Sequence, residues 1–85
     1  MYYVYVIISE KDSKLYTGST DDLKRRLAEH NAGYSKSTMN RRPFKLIYYE
    51  ACLVESDARK RERYLKSGMG KKYIRSRLSD YFNNL

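Results

Sequence analysis

The chain has 85 residues, enough for one domain and too few for two, so a single domain over residues 1–85 is expected. Its 18 Lys and Arg against 10 Asp and Glu leave a formal net charge of +8. That excess attracts polyanions over long range, which favours nucleic acid over a lipid surface. Cys52 is the only cysteine, which excludes an intramolecular disulfide framework and suits a reducing compartment.

The stretch from Tyr2 to Ile8 is β-branched and aromatic, as a strand requires. Alternation sends Tyr3, Tyr5 and Ile7 to one face and Val4, Val6 and Ile8 to the other. The stretch lacks a basic lead-in and is too short for a signal peptide or membrane span, so a cytoplasmic protein with no membrane partner is expected. Residues 9–14 are polar and turn-like, and Leu15 to Thr17 reads as a second strand, completing a hairpin. Ser19-Thr20-Asp21-Asp22 resembles a capping box ahead of a helix that runs to about Asn31 and stops at Gly33. Leu23 and Leu27 form its apolar ridge.

Residues 34–43 are rich in Ser, Asn and Arg and are expected to form a mobile loop. Phe44 to Glu50 returns to strand. A second helix starts near Ser56 and ends at Gly68, with Val54, Ala58 and Leu65 as its inward stripe. Cys52 reads as a small core residue. Gly70 opens a third helix carrying Ile74, Leu78 and Tyr81 or Phe82. Three short strands need helices on a face to be stable. The expected fold class is therefore α+β, with a three-stranded, mostly antiparallel sheet flanked by about three helices.

Several polar residues stand out. Glu62 falls on the stripe set by Ala58 and Leu65, and it is the lone acid among Arg59, Lys60, Arg61 and Arg63. A carboxylate there needs a cation, a metal ion or hydrogen bonds. Arg26 and His30 are four apart on one helix and so share a face. Arg suits a phosphate through its planar fork, and His moves protons near neutral pH. Tyr5 and Tyr16 lie on neighbouring strands, where a hairpin brings their hydroxyls towards one point. A free tyrosine ionises near pH 10, so a tyrosine base needs a nearby cation or hydrogen bond, and Lys14 is one candidate. Taken singly, each of these residues also fits an ordinary packed or solvated position.

Their joint order resembles the GIY-YIG nuclease domain family. Tyr3-Val4-Tyr5 stands where the first motif belongs and Tyr16-Thr17-Gly18 where the second belongs. Arg26, His30 and Glu62 match the family's helix Arg, its helix Tyr or His, and its metal-binding Glu. Residues 42–50 (RPFKLIYYE) and 65–70 (LKSGMG) resemble the small single-domain bacterial branch, which is similar to the N-terminal part of the excinuclease that carries this domain. The first-motif Gly is Tyr3 here and the second-motif Ile is Thr17. Asn83 and Asn84 match the family's late Asn by residue type only.

The resemblance implies a metal-dependent DNA endonuclease with Tyr5, Tyr16, Arg26, His30 and Glu62 as catalytic residues. Glu62 would hold one Mg²⁺ or Mn²⁺, and either Tyr5 or Tyr16 would activate the water. Arg41, Arg42, Arg59, Arg63, Lys66, Lys71, Lys72 and Arg75 would grip the phosphate backbone. No recognition module accompanies the domain, so low-specificity or structure-dependent cleavage is expected, on branched, flapped or single-stranded DNA, in repair or recombination. The alternative is a catalytically weak module that binds DNA or RNA and acts with a protein partner.

Overall fold

A computed structural model describes all residues, Met1–Leu85. The elements are β1 (Tyr2–Ser9), β2 (Leu15–Thr20), α1 (Leu23–Ala32), β3 (Phe44–Cys52), α2 (Glu55–Lys66), α3 (Gly68–Arg77) and a short α4 (Ser79–Asn83). The sheet order is β2-β1-β3, and both pairings are antiparallel. The expected α+β architecture is the one found. No helix is long and apolar enough to cross a membrane.

The alternation in β1 builds two cores. Val4 and Val6 pack with Ala58, Leu65 and Ile74, so α2 and α3 cover that face. Tyr5 and Ile7 pack with Phe44, and Leu23 and Leu27 of α1 close the other face. A central strand covered on both sides explains why residues 4–9 are all buried. Ile47 is the extra residue of a bulge opposite Val6 and Ile7, and both Ile47 and Tyr48 join the α2 side as a result.

Local chemistry sets the helix ends. The Asp22 carboxylate accepts the Arg25 backbone N–H at 3.0 Å, so a simple Asp N-cap replaces the expected capping box. Gly33 closes α1 at φ 86°, the left-handed conformation that favours glycine. Asn31 then pairs with both backbone groups of Phe44, at 2.7 and 3.1 Å, and ties the end of α1 to the start of β3.

Four expectations need correction. Strands β2 and β3 run on to Thr20 and Cys52, because Thr20 pairs with Tyr3 and Cys52 with Tyr2 near the start of β1. Val54 is not on the inward stripe: it is the N-cap of α2 and is exposed. Gly68 does not end α2 but begins α3, because Ser67 breaks the chain and accepts the Gly70 N–H at 3.2 Å. Gly70 is needed for contact, since a Cβ there would collide with the backbone of Tyr64 and Leu65. The loop over residues 34–43 is tied down rather than free: Thr38 is fully buried, and Met39–Arg41 forms a 3-10 turn beside α1.

Candidate active site

Tyr5 sits mid-β1 opposite Gly18 of β2. Its hydroxyl contacts His30 Nε2 at 2.8 Å, and His30 Nδ1 contacts Thr38 Oγ1 at 2.8 Å. Tyr5, His30 and Thr38 are 3%, 0% and 0% exposed, so this chain of polar groups is buried and Tyr5 alone keeps any contact with solvent. A buried phenol proton needs an acceptor, and His30 Nε2 is the one within reach. That choice places the His30 proton on Nδ1, donated to Thr38. Gly18 makes room for the arrangement, because a Cβ there would stand 2.5 Å from the Tyr5 hydroxyl.

Charge and burial tune these groups. Burial pushes the Tyr5 phenol up, and the nearby Arg26 guanidinium only partly offsets it, so Tyr5 is a neutral phenol at neutral pH. Burial pulls His30 down, and Arg26 adds to the effect, so the imidazole is neutral and its Nε2 lone pair accepts the Tyr5 hydroxyl. Arg26 itself donates to Glu29 at 3.1 Å and stays fully charged. The cation beside a tyrosine is therefore Arg26, at Tyr5, and not the expected Lys14, which is exposed. Tyr16 is half-buried, and its ring stands edge-on to His30 with centroids 5.1 Å apart.

Glu62 approaches from the other face of the sheet. Ser19 Oγ donates to its Oε1 at 2.6 Å, and Lys66 Nζ donates to its Oε2 at 2.7 Å. Burial alone would raise the Glu62 pKa, but these two hydrogen bonds outweigh it and hold the carboxylate ionised below the usual range. The charge of Glu62 is felt at Tyr5. Four of the five expected catalytic residues thus gather on one side of edge strand β2, with Glu62 on the other. A lone ionised carboxylate fits magnesium, which takes one or two carboxylates and fills its shell with water and phosphate oxygens. Asn84 donates to the Asp80 carbonyl within α4, a local cap.

The cationic residues divide into two groups. Arg59, Arg63, Lys66, Lys71, Lys72 and Arg75 are exposed on α2 and α3. Arg59 is paired with Glu55 at 3.0 Å, and Lys66 with Glu62. Arg41 and Arg42 lie on the α1 side instead. Arg41 pairs with Asp12 at 3.2 Å and stacks on Phe44, while Arg42 donates to the Met39 carbonyl at 2.7 Å. One continuous grip by all eight is therefore not what the fold builds.

Three structural partners were not visible in the sequence. Thr38 reads as an ordinary loop residue and Ser19 as part of a helix cap until the fold sets them against His30 and Glu62. Glu50 receives both guanidinium donors of Arg61 at 2.9 Å, and the Arg61 guanidinium lies over the rings of Tyr64 and Tyr73. Only the acid at the end of β3 and the Arg beside Glu62 hinted at that clamp, which fixes the rotation of α2 and hence the direction of Glu62.

The model of the GIY-YIG catalytic domain matches residues 1–75. The UPF0213 protein SH2523 of Staphylococcus haemolyticus is 45% identical over 67 residues, covering 78% of this chain and 80% of its own. The UPF0213 protein CPE1444 of Clostridium perfringens is also 45% identical, with 78% and 71% covered. The solution NMR structure of the UPF0213 protein BH0048 from Bacillus halodurans is 35% identical, superposes with a TM-score of 0.53, and covers 89% of this chain and 84% of that one. The matching model spans nearly the whole chain and the solved relative shares its fold, so this chain belongs to the GIY-YIG catalytic domain family, among its small UPF0213 members.

Proposed function

We propose that the protein is a metal-dependent endonuclease that hydrolyses phosphodiester bonds in DNA. The observation that carries this reading is the gathering of Tyr5, Tyr16, Arg26 and His30 on one side of strand β2, with the ionised Glu62 on the other. Arg26 keeps its charge and offers it to a phosphate oxygen, where negative charge grows in the transition state. Glu62 would hold one Mg²⁺ or Mn²⁺, and such an ion, when bound, stabilises the leaving oxygen. Lys66 must give up its bond to Glu62 for that.

The proton of the attacking water needs a neutral acceptor. Tyr5 can take it on its oxygen while passing its own proton to His30 Nε2 along the existing 2.8 Å bond. The water oxygen bonds to phosphorus as the P–O bond to the leaving group breaks, and the proton on His30 passes back to the Tyr5 oxygen as the Tyr5 hydroxyl gives its proton to that leaving oxygen. Thr38 keeps the imidazole in the receiving tautomer. Tyr16, at the rim, orients the water or phosphate. Exposed cations on α2 and α3 supply sequence-independent affinity, which favours low-specificity or structure-dependent cutting.

Nicking of supercoiled plasmid, beside flapped and branched oligonucleotides, in Mg²⁺ or Mn²⁺ against EDTA tests the proposal. Metal-dependent cutting lost in Glu62→Ala, with DNA binding kept, is expected. Cutting lost about 10²-fold or more in Tyr5→Phe but much less in Tyr16→Phe supports the relay. Tight binding with no cutting on any substrate would instead favour a binding module working with a partner. The Lys66–Glu62 ion pair motivates that second reading, since it ties up the one carboxylate placed to hold a metal.

A further inference from the structure

The two hydrogen bonds on the Glu62 carboxylate differ in kind. Ser19 Oγ, on strand β2, donates to Oε1 at 2.6 Å, and Lys66 Nζ, one turn further along α2, donates to Oε2 at 2.7 Å. The serine hydroxyl is neutral and can stay while a metal ion shares the carboxylate. The ammonium cannot, because a divalent ion on the same carboxylate repels it at contact distance. The Glu62 side chain is 21% exposed and that of Lys66 is 50% exposed, so the lysine is the partner with room to move. Once released, Lys66 has no second acid to turn to. Glu62 is the only acid between Arg59 and Tyr73. Lys66 also borders a groove of about 460 Å³ that it shares with Lys14, Tyr16, Lys71 and Arg75, and no acidic side chain lines that groove. A freed ammonium there meets like charge, which a phosphate of bound DNA neutralises.

We infer that Lys66 is an exchange residue: it occupies the Glu62 carboxylate in the free protein, yields it to the divalent ion, and moves to a phosphate of the bound DNA. This rests on the nuclease reading and deepens it by assigning the coupling between metal and substrate to one side chain. Ser19 keeps Glu62 oriented throughout, and Lys66 is a positioning residue that acts through Glu62. The free protein then binds metal weakly, and the metal-bound protein offers DNA one more cation than the metal-free protein does. By linkage, DNA strengthens metal binding by the same factor as metal strengthens DNA binding. The ion is held most firmly when a substrate phosphate is in place.

Mn²⁺ binding to the DNA-free protein, read from the electron paramagnetic resonance signal of the free ion, tests the first half. Affinity should rise about fivefold in Lys66→Met, the upper end of what a half-exposed ion pair is worth. Lys66→Arg, which can keep the pair, should stay near the parent. Arg59→Met should gain less, because the Arg59 charge reaches Glu62 while its hydrogen bond goes to Glu55. Glu62→Gln should lose the site. The second half is read by anisotropy of a labelled DNA duplex across a salt series, in the Tyr5→Phe background so that cutting is slowed, with gels confirming intact probe. In Mn²⁺ the salt slope should be steeper with Lys66 than with Met by roughly 0.9, one phosphate contact, and in EDTA the difference should be much smaller. Circular dichroism melts confirm that each variant is folded. Equal Mn²⁺ affinity in the parent and Lys66→Met, with Glu62→Gln still losing the site, would overturn the exchange and leave the metal site standing. So would a slope difference of the same size in EDTA and Mn²⁺. Mn²⁺ binding that ignores Glu62 in every variant would overturn both the exchange and the nuclease reading. The expected exchange without nicking on any substrate would sink the nuclease reading alone.

Discussion

Gly18→Ala is the sharpest single test of how the site is built. The backbone at Gly18 is ordinary strand, so alanine brings no conformational strain there. What it brings is a Cβ 2.5 Å from the Tyr5 hydroxyl and 2.7 Å from the ring carbon that bears it, where ordinary contact begins at 3.4 Å. The hydroxyl must therefore retreat by about 0.9 Å, the gap between those limits. Taken along the Tyr5–His30 line, that would stretch the 2.8 Å contact past hydrogen-bond range. Taken the other way, it drives the ring into a packed core. Overpacking of this kind costs about 1–3 kcal/mol, and a catalytic group misplaced by ~1 Å costs on the order of 10²-fold in rate. Urea unfolding followed by circular dichroism gives the first quantity, and plasmid nicking in Mg²⁺ gives the second. The combination with Tyr5→Phe should be sub-additive in activity, because both changes remove the same contact. Unfolding free energy within about 0.5 kcal/mol of the parent, with unchanged nicking, would refute the close approach of Tyr5 to β2.

Thr38→Val keeps the shape of the side chain and strands His30 Nδ1 in a buried site, so it should cost about 1–3 kcal/mol by urea melts. It should also change the pH profile of nicking, which a purely structural loss would not do. His30 has its pKa lowered by burial from 6.5, so the unfolded chain takes up the proton first as pH falls. Stability should hold above about pH 6.5 and decline below it, and His30→Gln should remove that part of the decline in melts across pH 5–8. Glu62, lowered from 4.5, adds a separate loss below about pH 4.5 that Glu62→Gln removes. Arg61→Ala leaves Glu50 and the rings of Tyr64 and Tyr73 without their common partner. It should destabilise by about 1.5–3 kcal/mol and weaken metal-dependent nicking through the lost orientation of α2, read by melts and plasmid assay.

Much of this protein is legible along the chain because the relevant physics is local. The alternation of Tyr3, Tyr5 and Ile7 with Val4 and Val6 dictated a strand with two different faces, and the structure builds one core on each. Asp22 and Gly33 marked the ends of α1 by their backbone chemistry. The order of Tyr5, Tyr16, Arg26, His30 and Glu62 identified the domain family. What stayed hidden depends on partners far apart in sequence. Thr38, in a polar stretch that reads as an open loop, is buried because the chain folds back over His30 eight residues earlier. Ser19 reaches Glu62 across 43 residues, and Glu50 meets Arg61 only after β3 and α2 pack together. Arg41 and Arg42 looked like part of one cationic surface with α2 and α3, yet the sheet separates them. Ionisation followed the same division: residue type already makes tyrosine a neutral phenol at pH 7, and only burial and the position of Arg26 decided that His30, near 6.5 by residue type, is neutral where the two meet.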